Sequence, residues 1–228
     1  MRWRGSNPEY DAVTGNTLQE QLDALKARAR SLLQPEIIAI HDRATEDMRA
    51  TGLAGRILPV GATAPPFELP DRNGKTVRSA DLLSRGRLII DFYRGRWCPY
   101  CIAELEAFEA ALPRIREAGA ALVAISPQTV RQTDFLVDQH KFTFPILSDA
   151  GNATARAFGL VYNVPGYLRE LYQKSFINLP LANGDQSWTQ PLPATYVLER
   201  DGTVLYAFAD ADITRRAGPA EVLEVIRG

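Results

Sequence analysis

The amino-acid sequence predicts an α/β fold, in which helices cover both faces of a partly parallel sheet, with an N-terminal helical extension. Strand-like apolar runs alternate with helical patterns from residue 58 onward, and this order is typical of a parallel sheet with crossover helices. The run from Arg87 to Tyr93 is apolar almost throughout, as in a central strand that is buried on both faces.

Residues 1–57 are expected to form a tail followed by a helical arm. Residues 1–15 show no periodic pattern and are expected to be mobile. Thr17 and the glutamate three residues later form a capping box, which starts a helix with a leucine-rich face. Pro35 suits the first position of a second helix, and Gly52 offers its end. The arm either packs on its own domain or forms a homodimer contact, and its mixed charges disfavour binding to a membrane surface.

Residues 58–228 are predicted to be one domain. Asn73-Gly74 supplies the turn of a first hairpin, and Arg200-Asp201-Gly202 that of a second. The remaining elements are a strand at 87–93, a helix through 105–115, a strand at 120–125, a helix at 129–141, a strand at 144–147, helices at 153–158 and 166–174, strands at 194–199 and 203–208, and a last helix that Pro219 opens. The long segment 162–190 either shapes substrate access or an interface, or is a surface elaboration.

Composition excludes several classes of protein. The chain of 228 residues has 26 Lys and Arg against 27 Asp and Glu, for a net charge of −1, so no basic surplus favours nucleic acid or an anionic membrane. No apolar run approaches the ~20 residues that span a bilayer. The first residues lack the apolar core of a secretory signal, so a cytoplasmic location is expected. With only two cysteines, the chain is not a disulfide-stapled scaffold.

Both cysteines, Cys98 and Cys101, belong to one Cys-x-x-Cys motif. The motif follows the predicted central strand and opens the long helix, where free backbone N–H groups and the helix dipole favour a thiolate. Arg94 and Arg96 add positive potential, which also lowers a thiol pKa, and the thiolate is the reactive species. The motif therefore indicates reversible dithiol chemistry.

The cysteine pair also has plainer interpretations. Two inert buried cysteines are one alternative. A structural zinc site is disfavoured because it needs about four ligands, and the two histidines, His41 and His140, lie far from the pair without ligand spacing. Trp97, next to the pair, either packs in the core or contacts substrate.

The motif resembles known redox folds. A strand, then Trp-Cys-Pro-Tyr-Cys with Pro99 and Tyr100 between the cysteines, then a helix resembles a thioredoxin fold. The spacing resembles peroxiredoxins, whose pattern F-Y-P-x-x-x-T-P-x-C ends on the peroxide-reacting cysteine. Cys101 stands nine positions after Phe92, the same separation.

This register implies roles for particular residues. Cys101 falls on the peroxide-reacting position, Cys98 on the threonine that helps to hold the peroxide, and Glu104 on the acidic residue that commonly follows. Residues 60–71 resemble the opening of the same family, and 124–126 with 144–149 resemble its middle.

The resemblance is to the alkyl hydroperoxide reductase/thiol-specific antioxidant family, in a branch that bears Cys-x-x-Cys, and it covers roughly residues 58–228. It implies a thioredoxin-like fold and antioxidant peroxidase activity that serves cell redox homeostasis. It also implies a peroxide substrate, a thioredoxin-like dithiol reductant, and no bound metal, flavin or haem.

The sequence departs from the family pattern at the arginine. Where the family's catalytic arginine usually precedes a strand like that containing Thr195, this chain has Leu192 and Pro193, so Arg94 or Arg96 would have to replace it. Pro193 resembles the cis-proline of thioredoxin-like oxidoreductases, and a cis X-Pro bond costs only about 0.5–1 kcal/mol over trans. The alternative is an ordinary trans proline in a loop.

Asp91 is a carboxylate on an otherwise apolar strand. One interpretation is a buried base for proton transfer to the second cysteine, as in thioredoxin, because burial raises a carboxyl pKa toward neutrality. The other is a side chain that is simply hydrogen-bonded at the end of the strand.

Three functions follow from these features. In a peroxidase, the Cys101 thiolate attacks peroxide and becomes a sulfenic acid, with which Cys98 condenses. In a protein thiol–disulfide oxidoreductase, Cys98 attacks a partner disulfide and Cys101 resolves the mixed disulfide. In a redox-sensing or binding module, the arm reports the state of the pair without turnover.

Overall fold

The computed structural model describes residues 17–228, so the tail expected at residues 1–15 lies outside the described residues. The strands are β1 (Glu68–Pro70), β2 (Thr76–Arg78), β3 (Arg87–Phe92), β4 (Ala120–Ser126), β5 (Ile146–Ser148), β6 (Val161–Asn163), β7 (Thr189–Pro191), β8 (Ala194–Leu198) and β9 (Val204–Ala209). The helices are α1 (Leu18–Leu32), α2 (Pro35–Thr51), α3 (Ser79–Leu83), α4 (Pro99–Glu117), α5 (Val130–His140), α6 (Ala153–Ala157), α7 (Gly166–Lys174), α8 (Leu179–Asn183) and α9 (Pro219–Arg227).

A mixed five-stranded sheet in the order β5-β4-β3-β8-β9 forms the centre of the domain. β4 is parallel to both β3 and β5, whereas β8 is antiparallel to both β3 and β9. Parallel neighbours need crossover connections, which α4 and α5 supply. The predicted α/β fold class, with its closing hairpin of β8 and β9, is confirmed.

Short elements differ from the prediction. The strand expected at 144–147 is β5, two residues later, and the segment 162–190 contains β6, β7 and α8 besides the expected α7. These strands have three residues each and α8 has five, which is too short for a hydrophobic period to be visible. None of the helices described in residues 17–228 is long and apolar enough to cross a membrane.

β3 directs the side chain of Asp91 toward α4, the helix that carries the cysteines. Successive residues of a strand point to opposite faces. Leu88 and Ile90 are buried on one side of the sheet, and Ile89 is buried on the other side with Leu105 of α4. Asp91 has the same parity as Ile89, so the strand directs its carboxyl toward α4. Burial of each isoleucine contributes about 1.5–3 kcal/mol to folding stability, so β3 is a stable part of the sheet.

The helix ends in the arm agree with their sequence signals. Both hydrogen bonds of the capping box between Thr17 and Glu20 are present. Pro35 is the first residue of α2, and Gly52 caps its C-terminus at a φ of 63°, in the left-handed region that glycine favours.

The arm packs against its own domain. Leu22 of α1 is fully buried and contacts Ala107 of α4 in one apolar cluster. Met48 of α2 packs in another cluster with Leu192, which precedes β8. These contacts agree with the first of the two expectations for the arm, and a homodimer contact stays a prediction.

Candidate active site

The two cysteines lie at the N-terminus of α4. Cys98 caps the helix and Cys101 lies in its first turn. The Sγ of Cys98 accepts a hydrogen bond from the backbone N–H of Cys101 at 3.4 Å, and the two Sγ atoms are 2.7 Å apart. Both side chains are fully buried. This is the placement that the sequence predicts, and the positive end of the helix dipole favours a negative charge on Cys98.

Arg94, in the loop after β3, is buried against Cys98. Its Nη2 donates to the Sγ of Cys98 at 3.2 Å, and its Nη1 donates to the hydroxyl of Tyr172 at 3.1 Å. The next residue, Gly95, has a φ of 145°, and a Cβ there would lie 2.7 Å from the Nε1 of Trp97. Only glycine therefore permits the turn that brings Arg94 back onto Cys98.

A second arginine, Arg216, contacts Cys101. It lies in the loop before α9, and its Nη2 donates to the Sγ of Cys101 at 3.4 Å. Its Nη1 forms an ion pair with Glu104, and its Nε donates to the carbonyl oxygen of Ile213 at 2.9 Å. Glu104, predicted only by resemblance, thus lies one helical turn from Cys101 and orients Arg216. The sequence analysis missed Arg216 because it is 115 residues from Cys101, in a loop that carries no motif.

Asp91 is fully buried and hydrogen-bonded through only one of its oxygens. Thr195 donates to its Oδ1 at 3.4 Å, while Oδ2 has no hydrogen-bond partner among the described residues. Burial raises the pKa of Asp91 well above its usual range, and repulsion from Glu104 adds to this while Arg216 opposes it. Burial likewise raises the pKa of Glu104 to about 7, against the attraction of Arg216. The structure thus shows a buried Asp91 with one hydrogen-bonded oxygen, and its role as a base for proton transfer stays a prediction.

The two thiols differ in pKa. Burial raises the pKa of Cys98, but the hydrogen bond from the Cys101 thiol and the charges of Arg94 and Arg216 outweigh burial and bring that pKa well below its usual range. Burial, the hydrogen bond to Cys98 and the charge on Cys98 raise the pKa of Cys101 well above its usual range. These contacts favour Cys98 as the thiolate, whereas the resemblance places the reactive thiolate on Cys101.

Arg96 does not join the thiols, contrary to the sequence prediction. It is exposed, its Nε donates to the Oε1 of Gln132 at 2.6 Å, and its guanidinium lies over the ring of Phe135. The chain turns at Gly95, so the neighbouring arginines leave the loop in different directions. The positive charge near the cysteines comes instead from Arg94 and the unpredicted Arg216.

The expected cis-proline is wrong. No cis peptide bond occurs within residues 17–228, so the bond between Leu192 and Pro193 is trans. Pro191, two residues before Pro193, pairs with Val161 in the β6–β7 sheet. The backbone N–H of Leu192 donates to the carbonyl oxygen of Leu160 at 2.8 Å. The backbone before Pro193 is therefore hydrogen-bonded within that small sheet. A thioredoxin-like substrate groove, which the sequence analysis inferred from a cis-proline, is not supported.

A cavity of about 750 Å³ adjoins the site on the Cys98 side. Its lining includes four residues that neighbour Cys98 in the chain or contact it: Arg94, Trp97, Pro99 and Tyr100. The ring of Trp97 lies 5.2 Å from that of Tyr172, centroid to centroid, so Trp97 both packs and faces the cavity. Cys98, Cys101 and Arg216 are not among the lining residues, and Arg94, which contacts the Sγ of Cys98, is the part of the site that the cavity reaches.

Replacing Arg216 by leucine is expected to destabilise the protein by about 3 kcal/mol, because losing one partner of a buried ion pair leaves the other charge uncompensated. Urea unfolding followed by circular dichroism measures the change. Arg215→Leu is the matched control, since Arg215 pairs with Asp210 on the surface, where such pairs contribute about 0–1 kcal/mol. Equal losses in the two variants would contradict a special role for Arg216.

Known proteins resemble this chain over the domain that holds the site. The sequence pattern of the AhpC/TSA family matches residues 60–207. A peroxiredoxin-type protein of Mycobacterium tuberculosis (strain ATCC 25618 / H37Rv) is 32% identical over 117 residues, which cover 51% of this chain and 76% of that protein. The chloroplastic peroxiredoxin Q of Sedum lineare is 30% identical over 114 residues, covering 49% of this chain and 61% of that protein.

A solved structure shows the same fold. The crystal structure of peroxidoxin BcpB from Mycobacterium tuberculosis matches with a TM-score of 0.59 at 25% identity, covering 75% of this chain and 97% of that chain. The arm and Arg216 both lie outside the residues 60–207 that match the family.

Proposed function

The chain belongs to the AhpC/TSA family and is a thiol-dependent peroxidase of the peroxiredoxin type, and from this premise we propose that it reduces hydroperoxides through a dithiol–disulfide cycle of Cys98 and Cys101. One observation carries the assignment of the nucleophile. Three donors converge on the Sγ of Cys98: the guanidinium of Arg94, the backbone N–H of Cys101 and the thiol of Cys101. Donors of this kind stabilise a thiolate, so Cys98 is the attacking residue.

The proposed first step is the reduction of the peroxide. The Cys98 thiolate attacks the hydroxyl oxygen of the hydroperoxide, and the O–O bond breaks. Cys98 becomes a sulfenic acid, and the departing alkoxide takes up a proton to leave as the alcohol. The guanidinium of Arg94 lies beside the reacting sulfur, where it stabilises the charge that develops on the departing oxygen.

The second step closes the disulfide. The Cys101 thiol attacks the sulfenic sulfur, the Cys98–Cys101 bond forms and water leaves, so that two electrons have passed from the pair to the peroxide. An external dithiol of the thioredoxin type then returns two electrons and two protons. This cycle needs only the two thiols, the peroxide and that reductant, without a metal, flavin or haem.

We assign Asp91 to proton exchange with Cys101 during disulfide formation. Its pKa is raised further by the charge of Cys101, and its Oδ2 has no other partner among the described residues. Thr195 holds the other oxygen in place. A carboxyl whose pKa is raised by burial is suited to accept a proton from a thiol and to return it.

Asp91→Asn is expected to gain thermal stability relative to the wild type as the pH rises. Burial raises the pKa of Asp91 in the folded protein, so above the ordinary carboxyl pKa the unfolded chain releases this proton more readily than the folded protein does. The wild type therefore loses folding stability as the pH rises, whereas asparagine does not titrate and causes no such loss. The difference in Tm between the two proteins should be larger at pH 8 than at pH 4, measured by calorimetry. A difference that is independent of pH would contradict a buried, titrating Asp91.

Steady-state assays test the proposed function. Peroxide consumption is measured with thioredoxin, thioredoxin reductase and NADPH, and reduction of insulin disulfides is measured on the same sample. Peroxide consumption should be the faster activity, since both thiols are buried and α1 and α2 line the cavity beside them. Fast insulin reduction without peroxide consumption would instead support the protein thiol–disulfide oxidoreductase.

A further inference from the structure

The N-terminal arm forms one wall of the cavity beside Cys98. This wall lies outside the residues that match the AhpC/TSA family, so the cavity is partly built by a segment that the family pattern does not contain. The apolar lining comes from the arm and from the facing parts of the domain, with Leu33, Ile38, Met48 and Leu53 on the arm side and Leu168 and Ile213 opposite.

The charged residues in the lining largely neutralise one another. Three ion pairs among them have N–O distances of 2.5–2.7 Å: Lys26 with Asp212, Arg30 with Asp42, and Arg49 with Glu46. Apart from Arg56, which donates to the carbonyl oxygen of Thr51, and Arg94 at the site itself, the lysine and arginine residues of the lining are therefore in ion pairs. Such a pocket offers little to a charged ligand away from Arg94, whereas its apolar wall favours an uncharged group.

The size of the cavity exceeds what hydrogen peroxide needs. A water molecule, similar in size to hydrogen peroxide, occupies about 30 Å³ of liquid, whereas the cavity holds about 750 Å³. Cavities that bind small organic ligands range over about 300–1,000 Å³. The volume therefore fits a molecule with a sizeable organic group.

We propose that the arm builds a binding subsite for the uncharged, apolar group of an organic hydroperoxide, whose two oxygens lie at Cys98 and Arg94. The proposal rests on the peroxidase function described above and adds a preference for bulky hydroperoxides over hydrogen peroxide. Arg94 lines the cavity, and its guanidinium contacts the buried Sγ of Cys98, so a ligand held by the arm brings its oxygens to the group that contacts the nucleophile.

Ala44 provides the test, because it lines the cavity from α2 and belongs to no catalytic contact. Ala44→Phe fills part of the subsite. It should lower kcat/KM for cumene hydroperoxide about tenfold or more, while kcat/KM for hydrogen peroxide stays within about twofold, since a pocket discriminates by the volume that it accepts. Ala39→Phe is the matched control: it makes the same change on the same helix at an exposed position outside the lining, and both activities should be retained.

A binding measurement separates the subsite from catalysis. The alcohol product of cumene hydroperoxide, 2-phenylpropan-2-ol, should quench the fluorescence of Trp97 in the wild type, with weaker binding in Ala44→Phe and no quenching in Trp97→Phe. Equal losses with both peroxides in Ala44→Phe, or no loss with either, would overturn the subsite. A wild type that reduces neither peroxide would instead overturn the proposed peroxidase function.

Discussion

Cys98→Ser is expected to lose the fast reaction with peroxide, by about 10⁴-fold or more, as removal of a catalytic nucleophile does in other enzymes. Cys101→Ser is expected to reduce one equivalent of peroxide and then stop. The reason is the asymmetry of the pair, since Cys98 receives the hydrogen bonds of Arg94 and of the Cys101 backbone, whereas Cys101 is the thiol that donates. Stopped-flow mixing of each reduced variant with peroxide measures both rates.

A sulfenic-acid probe identifies the reacting sulfur in the same samples. The probe should label Cys98 in Cys101→Ser, because that variant has no thiol to resolve the sulfenic acid. Labelling of Cys101 in Cys98→Ser, with a fast reaction there, would show that the register of the family resemblance governs and would contradict the assignment of Cys98.

Arg94→Met is expected to slow the peroxide reaction about 10²–10³-fold, the typical loss when one preorganised donor to a developing negative charge is removed. The pKa of Cys98 should also rise, because the charge of Arg94 is among the causes that lower it. The rate is measured by stopped flow, and the thiolate is titrated by its ultraviolet absorbance. The two readouts together distinguish loss of thiolate from loss of stabilisation of the departing oxygen.

Arg96→Met is the matched control for this variant. Arg96 is two residues from Arg94 but is exposed and directed to Gln132 on α5, so its replacement should change neither the rate nor the pKa of Cys98. Similar losses in both variants would mean that the general positive potential of the loop, rather than the contact made by Arg94, activates the thiol.

The fold was largely predictable from the sequence because its main elements are long and periodic. β3 is an apolar run with both faces buried, and α4 has nineteen residues, so hydrophobic period and length both distinguish them. Capping residues at Thr17 and Gly52 indicated the ends of the arm helices. Elements of three to five residues, such as β6 and α8, carry no period and depend on tertiary contacts.

The site was predictable only where its residues are neighbours in the chain. Cys98, Cys101 and Arg94 lie in one loop and one helical turn, so their proximity follows from spacing. Arg216 reaches Cys101 from a loop 115 residues away, and no local pattern encodes that contact. The prediction of a cis peptide bond before Pro193 was wrong for a related reason. The environment of Pro193 is decided by the pairing of β6 with β7 rather than by the residues next to it.

The most direct test of the account is the reaction of the fully reduced wild-type protein with one equivalent of hydroperoxide. The account predicts that the peroxide is consumed, that both free thiols disappear together, and that mass spectrometry finds an intramolecular disulfide between Cys98 and Cys101. Free thiols that persist while the peroxide remains would contradict a dithiol peroxidase.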